Sequence, residues 1–240
     1  MKKLLIQSMI SVSVLLAVYL TLHSIDWMTI FKVKQAIQKS EEKIGTLVWD
    51  YYLIDKVEIT NDSLVVKVDS LFQQLCITNK IDQHSIQLHI VESDEINAFS
   101  LPGNQIVVNK ALIDSCNDTD QLASVLAHEL AHLELNHITK KLIKEFGLTI
   151  LITSSGSGEI SGVIKEISKL LSSTAYDRQN EKEADLQAVK YLQNASIDPN
   201  ALIEFLQKIE SKESSWISTH PNTQERITYI SKAINISPTN

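Results

Sequence analysis

The chain has 240 residues, 44% of them hydrophobic and 21% charged, enough apolar material for a sizeable core and too little for a polytopic membrane protein. Its net charge of −7 excludes nucleic acid as the main partner and makes a poor surface for anionic lipid. Six Gly and four Pro, against about 29 in average usage, favour long uninterrupted helices over an all-β or loop-rich fold.

Met1-Lys2-Lys3 precedes a run without formal charge from Leu4 to Ile25. As a helix it covers about 33 Å, the thickness of a hydrocarbon core. Lysines ahead of the run keep the N-terminus in the cytoplasm. Residues 1–30 are therefore expected to be an uncleaved anchor in the inner membrane, single-pass, with the rest in the periplasm. The rival is a cleaved signal peptide, but the exit Tyr19-Leu20-Thr21-Leu22-His23 lacks the small residues of a cleavage site. Residues 31–56 carry Ile37, Ile44, Val48 and Tyr51 at amphipathic spacing and are expected to form a stalk helix.

Residues 57–240 read as one domain of α+β class, helix-rich with a small early sheet. Leu64, Val68, Leu71 and Leu75 are spaced as a helical stripe behind the caps Asn61-Asp62-Ser63, while the valines of the segment also allow a strand. Ile86, Leu88 and Ile90 alternate as a half-buried strand, and the turn at Pro102-Gly103-Asn104 introduces a second strand, Gln105-Ile106-Val107-Val108. Caps at Asn117 to Asp120 open a largely buried helix expected to run to Phe146, with Gly147 at its end. Further helices are expected over 161–175, 180–194, 199–211 and 222–235. Cys76 and Cys116 are too few for a disulfide scaffold; they are either one bridge or two core thiols.

The buried helix contains His128-Glu129-Leu130-Ala131-His132. Residues four apart share a face, so both imidazoles reach one ion while Glu129 lies beside it to handle a water. A dry helix seldom carries His, Glu and His without partners. A catalytic zinc needs a third protein ligand. His137 points away from His132 on a straight helix, and Leu135 and Ile138 exclude the metzincin spacing. The segment Arg178-Gln179-Asn180-Glu181-Lys182-Glu183-Ala184-Asp185 supplies Glu181 and Asp185 on one face. One can bind the metal while the other accepts the outer N–H of a ligand histidine; Glu183, on the far side, is expected in solvent.

His128-Glu-Leu-Ala-His132, Arg178-x-x-Glu181-x-x-Ala184-Asp185 and Thr219-His220-Pro221 with Arg226 resemble the zinc endopeptidases of the HtpX, Oma and CAAX-prenyl-protease family, peptidase family M48. Asn97-Ala98-Phe99 with Pro102-Gly103 is similar to that family's segment before the active-site edge strand. The resemblance runs from about residue 60 to 235. It implies one zinc ion held by His128, His132 and Glu181, with Glu129 as general base and Asp185 as the second acidic position. It places His220 in a loop facing the metal, either as oxyanion stabiliser or as a fourth ligand that keeps the enzyme latent. Asn104 stands where a second Gly is common, and Gln187-Ala188 replaces a Gly region.

The chain has twenty Lys and two Arg, Arg178 and Arg226, both inside these motifs. Only a guanidinium offers a rigid fork for carboxylates, so Arg226 is expected to tie the His220 loop to the carboxylate-bearing helix. The function expected is a membrane-anchored zinc endopeptidase acting on extended or misfolded envelope proteins. Substrate backbone would pair with an edge strand at Gln105, Ile106, Val107 and Val108. The alternative is a holding chaperone or assembly factor using the same groove.

Overall fold

The computed structural model describes residues 2–24, 33–60, 63–147, 160–173, 176–210 and 214–236. The chain divides into two compact units, Met1–Lys39 and Ser40–Asn240. In the first, helix α1 (Lys2–Ser24) covers most of the uncharged run, and its side chains from Ser11 to Leu20 are exposed. That stretch spans about 15 Å, and among the described residues no helix is long and apolar enough to cross a membrane. The expected exit of the anchor, Ile25 to Ile30, lies outside the described residues.

The expected stalk is corrected. Helix α2 (Val33–Tyr52) passes from the first unit into the second, and from Ser40 onward it is part of the domain rather than a spacer. Ile44, Val48 and Tyr52 are buried; Tyr52, not Tyr51, faces the core. A Cβ on Gly45 would lie 2.0 Å from the carbonyl oxygen of Pro102, so the helix backbone touches the turn directly.

The sheet holds β1 (Val57–Glu58), β2 (Gln87–Glu92), β3 (Ala98–Leu101) and β4 (Gln105–Asn109) in the order β1-β2-β4-β3. β2 runs parallel to β4, pairing Leu88 with Ile106, and β3 runs antiparallel to β4, pairing Phe99 with Val107. The turn between β3 and β4 uses positive φ at Gly103 and Asn104. Asparagine tolerates that region, so the missing second glycine costs the turn little. The expectation that Gln105, Ile106, Val107 and Val108 form an edge is overturned. Both sides of β4 are paired, leaving no free N–H and C=O row for a substrate strand; among the described residues the sheet ends at β3.

Around the sheet lie α3 (Ser63–Thr78), α4 (Lys110–Ser115), α5 (Thr119–Glu134), α6 (His137–Phe146), α7 (Ile160–Ser173), α8 (Arg178–Asn194), α9 (Asn200–Glu210), α10 (Ser215–Thr219) and α11 (Thr223–Ile236). The caps expected at Asn61 and Asp62 lie outside the described residues. Asp118 caps α5 by accepting from the Gln121 N–H at 2.9 Å. Every residue of α5 from Gln121 to Leu133 is buried, because α8, α9, α3, α6 and β3 surround it. The single helix expected to Phe146 is two. Asn136 at φ +55 breaks the hydrogen-bond ladder, and Gly147 at φ +76 ends α6. Cys76 and Cys116 are free thiols, each pushed up to about 12 by burial.

Two glycines should respond oppositely to alanine. Gly45→Ala should lower the unfolding free energy by about 1–3 kcal/mol through overpacking. Gly162, in α7, meets nothing within 4 Å, and Gly162→Ala should raise it by about 0.5–1 kcal/mol. Urea titration of both variants measures the pair.

Candidate metal centre

Asp177 accepts from the Asn180 N–H at 2.9 Å and starts α8 so that Glu181 and Asp185 fall one turn apart, facing α5. His220 arrives from the far end of the chain. Its N–H donates to the Trp216 carbonyl at 2.8 Å, and the Trp216 N–H donates to the Ile96 carbonyl at 3.0 Å. The C-terminus of α10 is thereby pinned beside the end of the sheet.

His128, His132, Glu181 and His220 converge, all buried, with one donor atom from each lying within 4.8 Å of the others. Nε2 of His128 is 3.0 Å from Nε2 of His132 and 3.2 Å from Nδ1 of His220. Glu181 Oε1 is 3.0 Å from His220 Nδ1 and 3.4 Å from His132 Nε2. A tetrahedral zinc with bonds near 2.0–2.1 Å separates its ligand atoms by about 3.3 Å, so this donor set fits such an ion. Charge fits as well. Glu129, Glu181 and Asp185 are buried with the guanidinium of Arg226, which balances one carboxylate of three; a divalent cation balances the other two.

Each site residue has an outer contact. His128 Nδ1 is 2.9 Å from Asp185 Oδ1, so Nδ1–H donates outward and the Nε2 lone pair faces the cluster. Burial pushes the carboxyl of Glu129 up to about 7, against the pull of His128 and a hydrogen bond from Ser100. Ser100 Oγ donates to Glu129 Oε2 at 3.1 Å, while Oε1 lies 3.4 Å from His220 Nε2. Burial would raise Asp185, but the Arg226 charge and the His128 hydrogen bond hold it at about 2. Burial would raise Glu181 too; His220 and Arg226 instead hold it well below the carboxylate range. His132 is driven well below the histidine range by burial, which leaves it neutral, as a ligand must be.

Arg226 is buried and binds as its chemistry requires. Nε and Nη2 donate to the two oxygens of Asp185 at 2.8 and 2.7 Å, and Nη1 donates to the His220 carbonyl at 3.1 Å. Nη1 also lies 3.0 Å from Glu181 Oε2. Arg178 makes no such link; it is exposed, 3.9 Å from Glu225. Glu183 is not simply solvated, since its Oε2 sits 3.3 Å from Nε2 of buried His137. Gln105, Ile106, Val107 and Val108 stay in the sheet interior and contribute nothing to the donor cluster.

Three contributors had no signal in the motifs. Trp216 stacks on His220 at 4.4 Å and carries the Arg226 guanidinium over its ring at 4.9 Å. Tyr176 lies against His132 at 4.1 Å, with the Lys141 ammonium over its ring at 4.3 Å. Ser100 sits on β3. None of them lies at a spacing that marks a role; only packing brings them to the histidines.

The family model of peptidase family M48 matches residues 65–234, more than half the chain, and the chain belongs to that family of metal-dependent peptidases. It is 27% identical over 202 residues to the β-barrel assembly-enhancing protease of Escherichia coli K12, covering 74% of this chain and 41% of the relative. It is 32% identical over 167 residues to the mitochondrial metalloendopeptidase OMA1 of Bos taurus, covering 61% of this chain and 32% of that one. The human OMA1 is 28% identical over 207 residues, with 74% and 40% covered. The chain thus spans about two fifths or less of the length of these relatives.

The Arg226 fork gives a direct test. Arg226→Lys keeps the charge but loses the parallel pair of bonds, and it should lower the unfolding free energy by about 1–3 kcal/mol. Arg226→Ala, which removes the cation beside Asp185 and leaves it only the contacts of His128 and Tyr229, should lower it by about 3–5 kcal/mol. Urea unfolding of the metal-free chain reads both.

Proposed function

We propose that the protein is a zinc-dependent endopeptidase of the cell envelope. The observation that carries this reading is the buried four-donor cluster with Glu129 beside it. His128, His132 and Glu181 are the zinc ligands, and Asp185 orients His128. Zinc bound there would polarise the scissile carbonyl and make a water acidic enough to deprotonate near neutral pH. Glu129 takes the proton of the attacking water and passes it to the leaving amine. Ser100, donating to Oε2, keeps the second oxygen, Oε1, turned toward the reacting atoms.

His220 places Nδ1 among the donor atoms and Nε2 toward Glu129. Four protein ligands close a zinc site, whereas catalysis needs one position open. In this reading His220 holds the resting enzyme latent and leaves when substrate binds. An extended substrate adds as a strand at β3, on which Ser100 marks the side of the centre. Helix α7 packs against β3 and must give up that edge. The bacterial relative is named for β-barrel assembly, which supports substrates among envelope proteins. The uncharged run Leu4 to Ile25 is the proposed inner-membrane anchor, with the domain in the periplasm.

The full chain should bind one zinc per molecule, and His128→Ala, His132→Ala and Glu181→Ala should each abolish tight binding. Glu129→Gln should retain zinc and lose about 10²–10⁴-fold in peptide turnover. If Glu129→Gln also complements a deletion strain as well as wild type, the holding-chaperone reading replaces this one. His220→Ala should retain zinc and raise turnover, by up to about tenfold for a resting enzyme open about a tenth of the time. Reduced turnover in that variant would assign His220 to the oxyanion instead. Metal analysis and a quenched-peptide assay measure these outcomes.

A further inference from the structure

His137 is fully buried and lies outside the donor set, yet both its ring nitrogens are engaged. Nδ1 is 3.0 Å from Nδ1 of His132, and Nε2 is 3.3 Å from Oε2 of Glu183. The contact exists because the helix breaks. On a continuous helix, position 137 would lie about 140° around the axis from position 132. Asn136, at φ +55, redirects the backbone between α5 and α6, and the two ring centroids come to 5.0 Å.

Two ring nitrogens 3.0 Å apart need one proton between them. Nε2 of His132 faces the cluster, 3.0 Å from His128 Nε2 and 3.4 Å from Glu181 Oε1, so its proton belongs on Nδ1. His137 then accepts at Nδ1 and carries its own proton on Nε2, where Glu183 accepts it. Gln179 Nε2 donates to the other Glu183 oxygen at 2.7 Å, which holds that carboxylate in place. One assignment of protons satisfies every member of the chain. The opposite assignment would put a proton on the nitrogen that faces the metal.

We propose that His137, backed by Glu183, is a positioning residue that sets the tautomer and ring orientation of His132, as Asp185 does for His128. The inference rests on His132 being a zinc ligand. It makes the two helix ligands unequal. His128 donates to an anion that Arg226 clamps, whereas His132 donates to a neutral imidazole whose carboxylate lies at the surface. Glu183 is 38% exposed, so this second relay reaches solvent and the first does not.

Zinc affinity of the full chain, read by competition with a chromophoric chelator, tests the proposal. The visible spectrum of the cobalt-loaded protein reports ligand geometry alongside. His137→Phe fills the space without an acceptor and should weaken zinc binding about 10–100-fold. His137→Asn offers Oδ1 in place of Nδ1 and should recover most of that loss. Glu183→Leu, at a half-exposed position that folding does not need, should weaken binding less than His137→Phe while shifting the cobalt bands in the same direction. Thermal unfolding of the metal-free variants separates loss of fold from loss of ligand orientation. Wild-type affinity in both His137→Phe and Glu183→Leu would overturn the proposal, as would equal losses in His137→Phe and His137→Asn. A wild-type chain that takes up no zinc would end the proposed function itself. Zinc in wild type with unchanged affinity in the variants would remove only the role of His137.

Discussion

Three carboxylates and a guanidinium lie in the interior of this domain, and the packing around them follows from the need to compensate them. An ion taken out of water costs several kcal/mol unless its charge and hydrogen bonds are met. Arg226 meets Asp185 with two parallel bonds and touches Glu181, leaving negative charge for a divalent cation to balance. The same guanidinium holds the His220 carbonyl and rests on Trp216. One side chain therefore ties α8, α10 and α11 together at the place where the donors meet. Lysine could supply the charge, but not the fork.

The second constraint is the burial of α5. A helix enclosed on nearly every side can carry His128, Glu129 and His132 only if each polar atom has a partner from a neighbouring element. Those partners come from four places in the chain. Asp185 and Glu181 come from α8, Ser100 from β3, His220 from the end of α10, and His137 from beyond the break at Asn136. The break is local and depends on one residue in a left-handed conformation. Its effect is to turn a side chain that a continuous helix would point elsewhere back toward His132.

The sheet shows a different kind of constraint. The turn before Gln105 and the apolar run Ile106 to Val108 mark a strand but carry no information on its neighbours. Pairing with β2 on one side and β3 on the other makes that strand internal, and the end of the sheet passes to Ala98–Leu101. Both β3 and β4 pack on α5, and it is Ser100 of β3 that reaches Glu129. Likewise the amphipathic stretch after residue 33 looks like a spacer in one dimension. In the fold its later half is core, because Gly45 allows α2 to approach the Pro102 turn.

Local chemistry, which acts within a few residues, was readable from the sequence alone: the His128–His132 pair on one helical face, Glu181 and Asp185 one turn apart, the caps at Asp118 and Gly147, and the choice of arginine at 226. These depend on helical period, side-chain reach and donor type, all of which sequence spacing encodes. The tertiary structure decided what depends on meetings between distant segments. It determined that β4 is internal, that Trp216, Tyr176 and Ser100 crowd the histidines, and that His220 turns Nδ1 to the donors and Nε2 to Glu129. It also brought His137 to His132. The physical reason is the same in each case: burial forces polar atoms to find partners wherever packing presents them, and no spacing along the chain records which partner that will be.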